Sequence, residues 1–256
     1  MMTGSGTNTY LLGTDQVTVI DPGPANNQHL EQILRLTGGR ISQILVTHTH
    51  RDHSPGAIAL KKQTGAPIMG MPAPEDPSQD PDFEADETLR DGDSLSTEAG
   101  TLKVLHTPGH ASNHLCYLLE EEKILFSGDH LMQGSTVVIN PPDGDMTAYL
   151  TSLSQLSHED IQFIAPGHGF LMAHAHAVVD YVFTHRLVRE HKVLATLRTH
   201  GAGRLPDLTP RVYDDVPPVV QGIASRSLLA HLIKLEQDGL VTLIGDVWHS
   251  AKPAGA

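Results

Sequence analysis

Cysteine is all but absent from this sequence: Cys116 is the only thiol among 256 residues. That excludes an internal disulfide framework and suits a reducing cytoplasm. Cys116 falls in the apolar stretch Leu115 to Leu119, so a buried, inert thiol is expected rather than a nucleophile. Long apolar runs are missing too. None approaches the ~20 residues a membrane span needs and no secretory pattern opens the chain, so no membrane role is expected. The chain starts at Met1-Met2-Thr3-Gly4, close to the first predicted strand, and a few residues are expected to be missing upstream. Positive charge is scarce: 17 Lys/Arg stand against 30 Asp/Glu, a net −13. The deficit is uneven, with eight basic and 23 acidic residues over 1–180 but nine against seven over 181–256. An acidic body disfavours extended contact with nucleic acid. Nine of the acids lie in Glu75 to Asp93, where Arg90 is the only cation; the segment reads as a solvated loop. What remains supports a sizeable core: 39% of residues are apolar, and the length fits one large α/β domain, alone or with a small appendage.

The most informative stretch is Thr47-His48-Thr49-His50-Arg51-Asp52-His53, which follows the apolar run Ile41 to Val46. Three imidazoles and a carboxylate within six positions have no ordinary core role; a polar surface loop is the plain alternative. In an extended or loop backbone His48 and His50 point to one side, and Asp52 and His53 turn toward a second point nearby. Imidazole and carboxylate are the donors expected for Zn²⁺ or a similar borderline metal. Ser54-Pro55 reads as the N-cap and first turn of a helix over Gly56 to Gln63.

Along the chain, strands are predicted over Thr9 to Leu12 and Val17 to Ile20, the second ending at Asp21-Pro22-Gly23. Asp21 there is equally a turn former or a support for the site. A helix over His29 to Leu36 puts Leu30, Ile33 and Leu34 on one face. Further strands are Pro67 to Gly70, Leu102 to Leu105, the hairpin Leu115 to Leu119 with Lys123 to Phe126, and Ile161 to Ala165; Thr147 to Leu156 is a helix. A pattern recurs: an apolar run, a Gly/Pro turn, then a His or Asp, at His48, His110, Asp129 and His168. In α/β sheets ligands bind beyond the carboxyl ends of strands, so one shared site is expected. A long helix over Asp180 to His200, helices over Pro217 to Ile223 and Ser225 to Gln237, and a β-ribbon over Leu240 to Trp248 make a winged-helix pattern. The division is placed near residue 180, giving parts 1–180 and 181–256, with the long helix able to bridge both.

His48-Thr49-His50-Arg51-Asp52-His53, followed by His110, Asp129 and His168, resembles the complete ligand signature of the metallo-β-lactamase-fold hydrolases. The resemblance implies that His48, His50 and His110 hold one metal, that Asp52, His53 and His168 hold a second, and that Asp129 bridges them. Thr107-Pro108-Gly109-His110-Ala111-Ser112-Asn113-His114 resembles a segment of glyoxalase II-type thioesterases, in which His114 matches a recurrent histidine. Gly6-Thr7-Asn8-Thr9-Tyr10, Pro166-Gly167-His168-Gly169, His185-Arg186 and His231-Leu232-Ile233-Lys234-Leu235-Glu236 are similar to the lactamase-β-like branch that ends in a winged helix. That likeness covers nearly the whole chain. It implies a four-layer αβ/βα sandwich, two sheets back to back with helices outside, where the residues alone gave only α/β with a strand-end site. Two features depart from better-known relatives: the long insert of nucleic-acid-processing members between Asp129 and His168 is absent, and Leu131 to Tyr149 holds no Lys or Arg to bind glutathione.

The chemistry implied is hydrolysis by a hydroxide bridging two Zn²⁺, with Mn²⁺ or Fe as alternatives, on an ester, thioester or phosphodiester. Asp52 is expected to orient that nucleophile or pass on a proton. His114 is expected either to donate to a developing oxyanion or to fix a ligand. The branch includes a single-stranded RNA endonuclease, and the fold also hosts iron-dependent oxidases, so both stay open, as does a homodimer. A nucleic-acid regulator is weighed because of the winged helix, but Ser225 to Gln237 offers only Arg226 and Lys234 where recognition needs a basic face. β-Lactam hydrolysis is disfavoured for want of a secretion signal. Of the other histidines, His174 and His176 are expected at the surface, His130 pointing away from the site, His106 in a strand, and His185, His191 and His200 along the long helix.

Overall fold

Strand alternation decides which layer each apolar residue enters. Val17 and Val19 face one way and Ile20 the other; Ile44 and Leu45 divide likewise. The computed structural model describes residues 6–251, so Met1 to Gly4 lie outside it. β1 (Tyr10–Leu12) and β2 (Val17–Ile20) form an antiparallel hairpin. α1 (Asn27–Thr37) then leads to β3 (Ile41–Leu45), and α2 (Pro55–Thr64) to β4 (Ile68–Gly70). β2, β3, β4 and the two-residue β5 (Glu87–Thr88) pair parallel in chain order. Asn26 caps α1 through its side chain, and Gly38, left-handed at φ 60°, ends it, as a C-terminal glycine does.

The second sheet starts as an antiparallel meander: β6 (Ser94–Thr97), β7 (Gly100–His106), β8 (Leu115–Leu119) and β9 (Ile124–Gly128). α3 (Met146–Leu156) crosses over to β10 (Phe163–Pro166), parallel to β9, and β11 (Met172–Ala173) closes the edge. Leu102, Val104, Leu115, Tyr117 and Phe126 meet Ile20, Leu45 and Met69 between the sheets. Leu30, Ile33 and Leu60 cover the outside of the first sheet; Leu150, Leu153, Val179 and Val182 cover the second. The layers run helix, sheet, sheet, helix. Each fully buried Leu or Ile there is worth about 2 kcal/mol.

α4 (Ala175–His200) begins five residues before Asp180, where the sequence pattern starts it. It serves two cores: Val179 and Val182 pack on the second sheet, while Val193 and Leu197 pack on the C-terminal module. That module adds β12 (Gly203–Arg204), α5 (Leu205–Val212), α6 (Gln221–Gln237), β13 (Val241–Ile244) and β14 (Val247–Ser250), its three strands ordered β12-β14-β13. The helix expected over Pro217 to Ile223 is a single 3-10 turn, Pro218–Val220, that runs into α6.

Two expectations are corrected nearer the site. Ser54 precedes α2 but makes no side-chain cap; it sits at φ −97°, ψ −32° and its Oγ donates to Asp80 Oδ2 at 2.9 Å. The acidic stretch is not simply solvated, since Gln79, Asp80, Phe83 and Leu89 are buried. Phe83 and Leu89 anchor it in the two sheet cores, and Asp80 N–H donates to Thr49 O at 2.6 Å beside the metal motif.

Candidate metal centre

The loops that follow β3, β7, β9 and β10 meet at one edge of the sandwich and carry His48 to His53, His110, Asp129 and His168. Tight backbone turns bring them there. Gly109, at φ 142°, packs so closely on α3 that an added Cβ would lie 2.4 Å from Tyr149 Cα; Gly128, at φ 46°, would bring a Cβ to 2.7 Å from Thr47 Oγ1. Only glycine fits such close, left-handed backbone.

Three overlapping groups result: His48, His50 and His110; His48, His53 and Asp129; and Asp52, His53 and His168, each with donor atoms within 4.8 Å of one another. His50 Nδ1 stands 2.9 Å from His48 Nε2 and 3.0 Å from His110 Nε2. His168 Nε2 is 3.3 Å from both Asp52 Oδ2 and Asp129 Oδ1, and His53 Nε2 is 3.5 Å from Asp129 Oδ1. Asp129 Oδ2 lies 3.6 Å from His110 Nε2, so its two oxygens face different groups. All seven positions singled out in the sequence are brought together.

Outer partners set the tautomers. His110 Nδ1–H donates to Val138 O (2.7 Å) and His168 Nδ1–H to Gly6 O (3.0 Å), since a carbonyl can only accept. His53 Nδ1–H donates to Asp21 Oδ2 at 2.8 Å. Thr47 Oγ1–H donates to the same Asp21 oxygen, leaving Thr47 Oγ1 to accept from His48 Nδ1–H at 3.0 Å. Each of these four rings therefore directs its Nε2 into the cluster. His53 Nε2, Asp129 Oδ1 and His168 Nε2 are buried without any hydrogen-bond partner. Buried polar atoms are seldom left so, and a divalent cation fits what they lack.

The electrostatics differ between the groups. Burial pushes His48 well down and His50 down to about 3, and it lowers His110. These rings stay neutral and available as donors. Burial also opposes charge on His53 and His168, but the nearby carboxylates outweigh it: Asp129 and Asp21 raise His53 well above its usual range, and Asp129 and Asp52 bring His168 up to about 10. Burial likewise opposes ionisation of Asp52 and Asp129, yet the histidines hold Asp52 down at about 2 and Asp129 well below the usual carboxylate range. This half of the cluster attracts positive charge, as a proton or as a metal ion.

Residues 2–168 match the family described as the metallo-beta-lactamase superfamily, and residues 205–248 match the beta-lactamase associated winged helix domain. The chain belongs to the metallo-beta-lactamase superfamily. It is 34% identical over 247 residues to a Caenorhabditis elegans protein named beta-lactamase-like protein 2 homolog, the match covering 92% of this chain and 80% of that one. It is 32% identical over 251 residues to an Aspergillus chevalieri protein named atrochrysone carboxyl ACP thioesterase, covering 94% and 76%. The crystal structure of a metallo-beta-lactamase family protein from Thermus thermophilus shares the fold, with TM-score 0.81 at 23% identity over 95% of this chain and 93% of that one. The protein is thus a hydrolase of the metallo-beta-lactamase fold, with a C-terminal winged helix and a His/Asp cluster fit for metal.

Within this metallo-beta-lactamase site, residues that sequence reasoning undervalued do the supporting. Asp21 is buried with φ 49°, and its carboxylate accepts from Thr47 N–H, Thr47 Oγ1–H and His53 Nδ1–H. The Val138 and Gly6 carbonyls carry no signal in a sequence, because every residue has one. His114 has no exposed surface; its Nδ1 bonds Thr107 Oγ1 (2.9 Å) and its Nε2 accepts from Asp129 N–H (3.1 Å). A ring bonded at both nitrogens cannot donate to a developing oxyanion, so of its two expected roles only the fixing of a ligand agrees with the geometry. His130 lies buried against Tyr149, 4.7 Å between ring centroids, and burial pushes it down to about 3. His174, His176, His191 and His200 are exposed, and His106 ends β7. Cys116 is fully buried and burial pushes its thiol up to about 12, so it is inert.

Proposed function

We propose that this chain is a binuclear, zinc-dependent hydrolase of a small thioester or carboxyl ester. The observation that carries the reading is the convergence of seven donors, three of whose atoms are buried and unpartnered. In this reading His48, His50 and His110 hold one cation, Asp52, His53 and His168 hold the other, and Asp129 serves both; manganese or iron satisfies the same donors. Such cations supply a water acidified to a pKa of about 7 and a Lewis acid for the carbonyl oxygen. Asp52 is ionised at neutral pH and its side chain is 40% exposed. Thr7 Oγ1–H donates to its Oδ2 at 3.2 Å and holds it. A carboxylate held down at about 2 is a weak base, so Asp52 orients the attacking water as a hydrogen-bond acceptor rather than keeping its proton. His114 positions Asp129 through the Asp129 N–H.

The thioesterase named among the relatives supports a thioester substrate. The absence of Lys and Arg from Leu131 to Tyr149, and a balance of −15 over residues 1–180, favour a substrate with little negative charge over RNA, a phosphodiester or a glutathione adduct. For the C-terminal part we propose a packing role in a division at 1–180 and 181–256: Lys234 of α6 is engaged by Glu190 and Asp238, which leaves little for nucleic acid. Among the described residues no helix is long and apolar enough to cross a membrane, and a single buried thiol favours the cytoplasm.

A parallel panel of acyl thioesters, carboxyl esters, a phosphodiester chromogen and labelled single-stranded RNA tests the reading, each with an Asp129→Ala control. The expected result is turnover of thioester or ester that the control loses by several orders of magnitude. Turnover confined to RNA would overturn the substrate class. Stoichiometric iron with oxygen uptake would replace hydrolysis by oxidation.

A further inference from the structure

We propose that Arg186 and Ser227, one on α4 and one on α6, position the metal-binding histidine His110 by holding the Val137–Ile139 segment, so that the winged-helix side of the molecule sets metal affinity. The proposal rests on the metal reading given above. The carbonyl that takes the His110 Nδ1 proton belongs to Val138, and both of its neighbours are tied to the C-terminal helices. Val137 O accepts from Arg186 Nη2, and Ile139 N–H donates to Ser227 Oγ at 3.4 Å. The Val137 and Ile139 side chains pack in one core with Val182 of α4 and Ala230 of α6. The segment is gripped from behind on both sides of the atom that matters.

Arg186 reaches His110 by a second route. Its guanidinium lies over the Tyr149 ring, 5.2 Å from the centroid, a cation–π geometry. Tyr149 is the residue on which Gly109, the neighbour of His110, packs at backbone distance, and its hydroxyl donates to His130 O at 2.8 Å. Arg186 is only 3% exposed and faces no carboxylate within salt-bridge distance among the described residues. A buried cation without a counter-ion is costly; here the Val137 carbonyl and the Tyr149 π-face meet it. Both contacts lead to the same ligand. Loosening the segment lets the His110 ring rotate or change tautomer, and outer partners of metal-bound histidines typically carry about 10–100-fold in affinity.

The test is stepwise zinc affinity of the full chain by chelator competition, with ring ¹⁵N NMR of the metal-free protein to read the His110 tautomer. Wild type is compared with Arg186→Gln, Arg186→Lys and Ser227→Ala. One of two zinc-binding steps is expected to weaken about 10–100-fold in Arg186→Gln, and less in Ser227→Ala. Arg186→Lys, which keeps a donor and the charge, should recover part of the loss. Ser227→Ala removes a single hydroxyl and decides the matter if Arg186→Gln does not fold. Wild type binding two zinc while folded variants match it in both steps would overturn the coupling and leave the function reading intact. Wild type binding no zinc would overturn both.

Discussion

Asp21 uses both carboxylate oxygens inside the protein, one on Thr47 N–H and the other on Thr47 Oγ1–H and His53 Nδ1–H. Asparagine keeps the shape but turns an amide NH₂ toward two donors. The threonine hydroxyl can reverse; the imidazole must move its proton to Nε2, the atom needed for metal. Asp21→Asn is therefore expected to weaken zinc binding about 10–100-fold and to cost about 1–3 kcal/mol of stability. Chelator competition and denaturant unfolding measure the two effects, and unchanged affinity would show that the tautomer is set elsewhere. At this scale the metal motif was legible, because His48, His50, Asp52 and His53 sit in six consecutive positions. Asp21 was only half legible: Asp-Pro-Gly after a strand is equally the mark of a turn. His114 left two roles open that no spacing distinguishes, since the choice depends on what its two nitrogens touch.

At the scale of elements, the turn between β6 and β7 clamps the turn between β1 and β2. Glu98 is exposed, yet its carboxylate accepts from Thr14 N–H, Asp15 N–H, Gln16 N–H and Thr14 Oγ1–H, tying one sheet to the other. The backbone bonds, that of Gln16 foremost, pull its pKa from 4.5 down to about 2. A depressed carboxylate stabilises the fold fully above its unfolded value and loses that contribution as pH falls toward the folded one. Glu98→Gln should thus unfold more easily than wild type at neutral pH, the gap closing between about 4.5 and 2. Thermal unfolding of both proteins across that range measures it; a gap independent of pH would contradict the clamp. Strands and helices with clean periodicity were legible to within a few residues, α3 and β8 among them. α5 was not: Pro206 and Pro210 in eight residues argue against a helix, although Pro206 sits in the first turn, where it is tolerated. The acidic segment misled because its charges hide Phe83 and Leu89, two anchors among nine acids.

For the molecule as a whole, α/β character and a site at strand ends were legible from the apolar runs and the residues that close them. The two-sheet sandwich was not, because periodicity shows that a strand has two faces but not which sheet meets each; that part came from the family resemblance. The bridging of both cores by α4 follows from its apolar residues, Val179 and Val182 in one half and Val193 and Leu197 in the other. The central claim is that the assembled fold holds two divalent ions between strand-end loops and uses them for hydrolysis. The most direct measurement is calorimetric titration of metal-stripped protein with zinc, with thioesterase activity followed at each addition. The account predicts uptake of near two zinc per chain, release of protons as His53 and His168 exchange theirs for metal, recovery of activity on filling, and loss of both in Asp129→Ala. Full turnover in the stripped protein, or no zinc uptake by wild type, would contradict it.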